Sequence, residues 1–186
     1  MGASTGGTDA LQAVLSGIPA GCPPIVIVQH MPPVFTRMFA ERLNKLCKIE
    51  VREAKNMDRC KGNLALLAPG DAQMKLAKDA QGYYVKIGGP DKVSGHCPSV
   101  DVLFDTASEV AGKNTIGVIM TGMGSDGAKG LLKLKQSGAY TIGQNKETCV
   151  VYGMPMVAFQ MGGVTKQLPL DHISQELVNK YTGSIK

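Results

Sequence analysis

Short apolar runs alternate with helix-spaced amphipathic stretches along almost the whole chain, and this alternation constrains the fold more than any other feature. The runs Ile25–Gln29, Leu64–Ala68, Thr115–Thr121 and Tyr140–Gln144 are strand-sized and apolar on both faces. Strands of that kind need cover on both sides, which a parallel sheet obtains from helices packed above and below it. Helical spacing predicts helices at Thr8–Leu15, Phe35–Cys47, Val100–Ala111, from the Gly122–Gly127 loop to about Ser137, at Pro155–Met161 and at Leu170–Tyr181. Ser99 is placed to cap the third of these. Ile49–Glu53 and Val164–Leu168 read as further strands, and Met74–Ala77 with Tyr83–Ile87 as an antiparallel hairpin on the sheet. The fold class is therefore α/β: a doubly wound, mostly parallel sheet in a three-layer αβα sandwich, with one antiparallel hairpin. A length of 186 residues suits one domain over 1–186.

Composition narrows the function classes. No apolar run approaches bilayer length, and the small, polar N-terminus is not a secretory signal. Gly6 stands where a myristoylation motif needs Ser or Thr. The 5 cysteines are widely spaced with no C-x-x-C, which argues against a disulfide framework or a zinc site and for free thiols in a reducing cytoplasm. A net charge of +5 is spread along the chain, and aromatic residues make up only 5%. That combination offers no stacking platform for nucleic acid and fits a diffuse attraction to an acidic protein partner.

Three residues fall where strands end, the place where open α/β sheets carry their ligands. Ser4 lies in the turn Gly2-Ala3-Ser4-Thr5-Gly6-Gly7, His30 directly follows Ile25–Gln29, and Asp126 sits in the loop after Thr115–Thr121. A serine on a tight glycine-flanked turn, an imidazole to take its proton and a carboxylate to orient the imidazole are the parts of an acyl-transfer site. Blander readings stand beside each. Ser4 or Thr8 could cap the first helix, His30 could simply end a strand, and Asp126 could cap the helix that follows it. His96 and His172 are rival bases; Asp71 and Asp101 are rival acids. The run Gly122-x-Gly124-x-x-Gly127, with Glu147 about twenty residues on, also fits a dinucleotide fingerprint. Asp126 would however set a negative charge beside the pyrophosphate.

Gly2–Thr8, Gln29-His30-Met31-Pro32, Ala68-Pro69-Gly70-Asp71, His96 with Pro98–Asp101, Met120–Ala128 and Val151–Pro155 together resemble the catalytic domain of the CheB family of chemotaxis protein-glutamate methylesterases. The resemblance implies a Rossmann-like sandwich and a Ser4, His30, Asp126 triad, with an oxyanion hole at the backbone of Thr5 and Met123. It also implies a γ-glutamyl methyl ester substrate on the cytoplasmic helices of methyl-accepting chemoreceptors, with deamidation of glutamines there in some members. The family normally carries an apolar first strand before the serine turn and usually an N-terminal receiver domain. Only Met1 precedes Gly2 here, so a truncated first strand and no receiver domain are expected within the chain. Met156 and Cys97 stand where relatives often have basic residues. The expectation is a cytoplasmic serine esterase needing no metal or organic cofactor; the competing one is a catalytically silent receptor-binding module on the same fold.

Overall fold

The computed structural model describes residues 1–183. Seven parallel strands form the main sheet: β1 (Gly2–Ala3), β2 (Ile25–Gln29), β3 (Glu50–Glu53), β4 (Leu64–Leu67), β7 (Ile116–Ile119), β8 (Tyr140–Gln144) and β9 (Lys166–Leu168). Their spatial order is β3-β4-β2-β1-β7-β8-β9. From β1 the chain passes to β2, then to the edge strand β3 and back to β4 between them, before crossing β1 to run outward through β7, β8 and β9. Helices α1 (Gly7–Ser16), α2 (Phe35–Leu46) and α6 (Leu170–Gly183) cover one face; α3 (Val100–Val110), α4 (Ala128–Gln136) and α5 (Met154–Gln160) cover the other.

Strand alternation explains the two cores. Ile27, Leu67 and Val118 point towards Leu11, Leu15, Phe39 and Leu43, whereas Val28, Leu66 and Ile119 point towards Leu103, Phe104 and Leu131. All four β4 side chains are buried, the mark of a central parallel strand.

Two features depart from the sequence reading. The hairpin strands β5 (Met74–Asp79) and β6 (Gly82–Ile87) pair antiparallel as expected, but they form a sheet of their own rather than extending the main one. Their apolar side chains Met74, Leu76 and Val85 join the α3 side of the core, and Thr106 Oγ1 of α3 accepts from the Leu76 amide at 3.0 Å. Secondly, neither Ser4 nor Thr8 caps α1; its N-cap is Gly6, at φ 77°, with no side-chain cap. The residues expected only to turn instead begin as a strand, Gly2 pairing with both Val28 and Ile119. Small residues have little strand propensity, so this pairing is imposed by the neighbours on either side.

Below β1 the sheet is open. A cavity of about 540 Å³ lies between the first residues of β2 and β7, lined by Met1, Ile25, Val26, Ile116, Leu103 and Phe104 among others. The Met1 ammonium is buried beside it, donating to Val26 O at 2.7 Å, and burial pushes its pKa down from 8.0 to about 5. Between those pH values the unfolded chain binds a proton that the folded chain rejects, so stability rises as pH goes from 5 to 8 and then levels off. The rise expected is on the order of 4 kcal/mol. Denaturant titrations from pH 5 to 8 should show this rise; a flat profile would rule out the buried amine.

Candidate active site

Ser4, His30 and Thr121 leave adjacent strands side by side. The Ser4 amide donates to Thr121 O at 3.0 Å, and the His30 amide to Ala3 O at 3.2 Å. The serine turn is tied down from three directions. Its carbonyl accepts from the Gly7 amide at 2.7 Å and from Gln29 Nε2 at 2.9 Å, while Thr121 Oγ1 donates to Thr5 O at 2.9 Å. Gly6 is in the left-handed region and Val150 lies against it, so the reversal there calls for a residue without a side chain. Gly122 is required by close approach: a Cβ on it would lie 2.8 Å from Ser4 Cβ. Among the described residues the Thr5 and Met123 amides donate to nothing, and Met123 is 70% exposed. These are the two N–H groups expected to face an oxyanion.

His30 is oriented by a carboxylate. Its Nε2 lies 2.7 Å from Asp126 Oδ2, with the imidazole 9% exposed and the carboxylate fully buried. An ionised carboxylate only accepts, so the geometry assigns the proton to Nε2 and leaves a lone pair on Nδ1. Nδ1 is buried and has no hydrogen-bond partner in the chain. Ser4 Oγ is therefore not hydrogen-bonded to it.

Asp126 is held in place by a second helix. Besides His30 it accepts from Ser99 Oγ at 2.7 Å, Val100 N at 2.7 Å and Asp101 N at 3.1 Å. The carboxylate therefore caps α3, not α4 as its position in the chain had implied; the N-cap of α4 is Gly127. Asp101 makes the reciprocal contact, Oδ1 accepting from Gly130 N of α4 at 2.8 Å. Burial alone would raise the Asp126 pKa, but the hydrogen bonds from His30, Ser99, Val100 and Asp101 together hold it below the usual carboxylate range. The first amides of α3 add the favourable end of a helix dipole.

The rivals separate cleanly. His172 is exposed on α6, and Asp101 is engaged with α4. Asp71 is exposed at a cavity of about 340 Å³ that it shares with His30, Met31, Lys92, His96 and Cys97. His96 does reach the site, but as a ring stacked on His30, centroids 3.7 Å apart and planes within 8°. The Gly122–Gly127 loop commits a buried carboxylate to His30 and α3, which is the wrong charge for a pyrophosphate cradle. Among the described residues no three His, Cys, Asp or Glu side chains are grouped to hold a metal, and the five cysteines are free thiols. No helix there is long and apolar enough to cross a membrane.

Gln29 was not singled out from the sequence. Its buried Nε2 bridges Ser4 O and His30 O, at 2.9 and 3.2 Å, joining the two loops that carry the serine and the histidine. A polar residue ending the apolar run Ile25–Val28 was the available signal. Gln144 serves the third loop similarly, its Oε1 accepting from Thr121 N at 2.8 Å.

Ser4, His30 and the buried Asp126 lie at one rim of a doubly wound α/β sheet, and the fold alone does not assign them a reaction. Comparison with known proteins is more specific. The CheB methylesterase family model matches residues 1–177, and the chain belongs to that family. It is 52% identical over 177 residues to a protein-glutamate methylesterase/protein-glutamine glutaminase 2 of Syntrophomonas wolfei, covering 95% of this chain and 52% of that protein. With the protein-glutamate methylesterase/protein-glutamine glutaminase of Salmonella typhimurium it shares 51% identity over 180 residues, 97% of this chain and 52% of the relative. The chain thus spans about half the length of the curated relatives it matches. The crystal structure of the Thermotoga maritima CheB methylesterase catalytic domain superposes with a TM-score of 0.93 at 38% identity, covering 96% of this chain and 95% of that one.

Proposed function

We propose that this chain hydrolyses γ-glutamyl methyl esters on the cytoplasmic helices of methyl-accepting chemoreceptors, with Ser4 as nucleophile, His30 as base and Asp126 as orienting acid. One observation carries the reading: His30 Nε2 is bonded to a buried carboxylate while Nδ1 stays unpartnered, and the His30 amide donates to the carbonyl of Ala3, next to Ser4. Ser4 Oγ attacks the ester carbonyl carbon as its proton passes to Nδ1. The carbonyl oxygen becomes an oxyanion and accepts from the Thr5 and Met123 amides. When the intermediate collapses, the bond to methoxide breaks and Nδ1 returns the proton, releasing methanol. Water then attacks the acyl-serine by the same route and restores Ser4 and a glutamate carboxylate. With a glutaminyl amide the leaving group is ammonia, in keeping with the double name of the relatives.

None of these steps calls on a metal or organic cofactor. The substrate class gives the protein a cytoplasmic place, and a receiver domain controlling access to the site belongs to the same reading. Release of methanol from a receptor-derived peptide carrying a γ-methyl glutamate is the test. Methanol formation that disappears in Ser4→Ala supports the esterase; peptide binding without methanol formation would make the chain a binding module.

A further inference from the structure

His96 is held by its backbone and by one face of its ring. Its carbonyl and amide close a two-residue turn with Val93 at 3.0 and 2.9 Å, with Ser94 at φ 53° and Gly95 at φ 82°, the conformation of a tight hairpin turn. Gln73 Nε2 donates to the His96 carbonyl at 3.1 Å, and Ser94 Oγ to Asp101 Oδ2 at 3.0 Å. An otherwise exposed turn is thereby tied to the rest of the fold at two points. The ring nitrogens of His96 have no hydrogen-bond partner among the described residues, yet the ring lies flat on His30 at 3.7 Å.

The bond to Asp126 fixes where His30 Nε2 sits, but a single hydrogen bond leaves the imidazole plane free to swing about it. We propose that His96 is a positioning residue, its ring fixing the plane of His30 so that Nδ1 faces Ser4 and laying a neutral π face against the imidazolium as it forms. The proposal rests on the Ser4–His30–Asp126 reading above. A π face within this range of a cation attracts it, provided the second ring is uncharged. His96 meets that condition: burial first and then the neighbouring His30 push its pKa down from 6.5, outweighing an upward pull from Asp126, with Lys92 adding a smaller downward push. Asp71, Lys92 and the Cys97 thiol share the cavity at its edge.

The test compares the parent chain with His96→Ala, His96→Phe and His30→Ala on a γ-methyl-glutamate peptide, recording kcat, KM and the melting temperature. His96→Ala lowers kcat by roughly ten- to a hundredfold, the scale of a misplaced reacting group, with KM and melting temperature little changed. His96→Phe keeps the flat ring and restores most of kcat near neutral pH. Unchanged kcat in His96→Ala, or a His96→Phe variant as slow as His96→Ala, would overturn the proposal. Loss of activity in His30→Ala is required by the triad reading itself, so an active His30→Ala variant would overturn that reading instead.

Discussion

Asp126→Asn lowers kcat by roughly three to four orders of magnitude, because the amide selects the wrong imidazole tautomer. Asp126 Oδ2 accepts from His30 Nε2 as well as from the Val100 amide. In the asparagine variant one of the two side-chain atoms is an NH₂ group. With the remaining oxygen at the Oδ1 site, where it keeps the Ser99 hydroxyl and the Asp101 amide, the NH₂ group faces His30 and the Val100 amide. Nε2 must then accept, the ring proton moves to Nδ1, and Nδ1 can no longer take a proton from Ser4. Stability falls much less, since Ser99 still caps α3 through its own hydroxyl to Val102 N and one acceptor is kept for the α3 amides. Steady-state kinetics beside a thermal melt distinguish the two effects. A loss of activity no larger than a weakened cap would cause, or one that tracks the loss of stability, would make Asp126 structural.

Ser4→Ala and His30→Ala each cost about as much as the two together, on the order of 10⁶-fold in kcat. A base with no nucleophile to deprotonate contributes nothing, and the reverse holds equally. Their adjacency makes this a demanding expectation: β1 and β2 are in register at Ala3 and Gln29, and Gln29 Nε2 ties the two carbonyls together. A structural coupling alone would show as shared loss of stability, whereas a catalytic one appears in kcat with the melting temperature unchanged. The double variant measured against both singles decides it; losses that multiply would deny a shared mechanism.

Much of the architecture could be read directly from residue order. β4 is buried along its whole length and β2 along its last three residues, so each announces itself as an apolar run, and β2 is followed by a stretch whose spacing matches its covering helix α2. The three candidate residues Ser4, His30 and Asp126 stood out for the same reason, since parallel strands deliver their carboxyl ends to one rim. What escaped depends on partners distant in sequence. The two-residue strand β1 has no propensity of its own and exists because β2 and β7 flank it. That Asp126 caps α3 is decided by the approach of α3 to α4, which brings Asp101 and Asp126 to each other's helices. The stack of His96 on His30 joins two loops 66 residues apart and leaves no periodic trace in the sequence. Met74–Ile87 reads as a hairpin from its own alternation, but nothing within it says whether it joins the main sheet or packs on α3.

Covalent chemistry at Ser4 is the centre of the account, and a fluorophosphonate reports it directly. Intact-mass and peptide-mapping spectrometry after exposure to the reagent should find one phosphonyl adduct per chain, on Ser4. The adduct should form far more slowly in His30→Ala and in Asp126→Asn, and not at all in Ser4→Ala. A folded chain that releases methanol from the peptide yet carries no adduct on Ser4, or is modified at another residue with loss of activity, would contradict it.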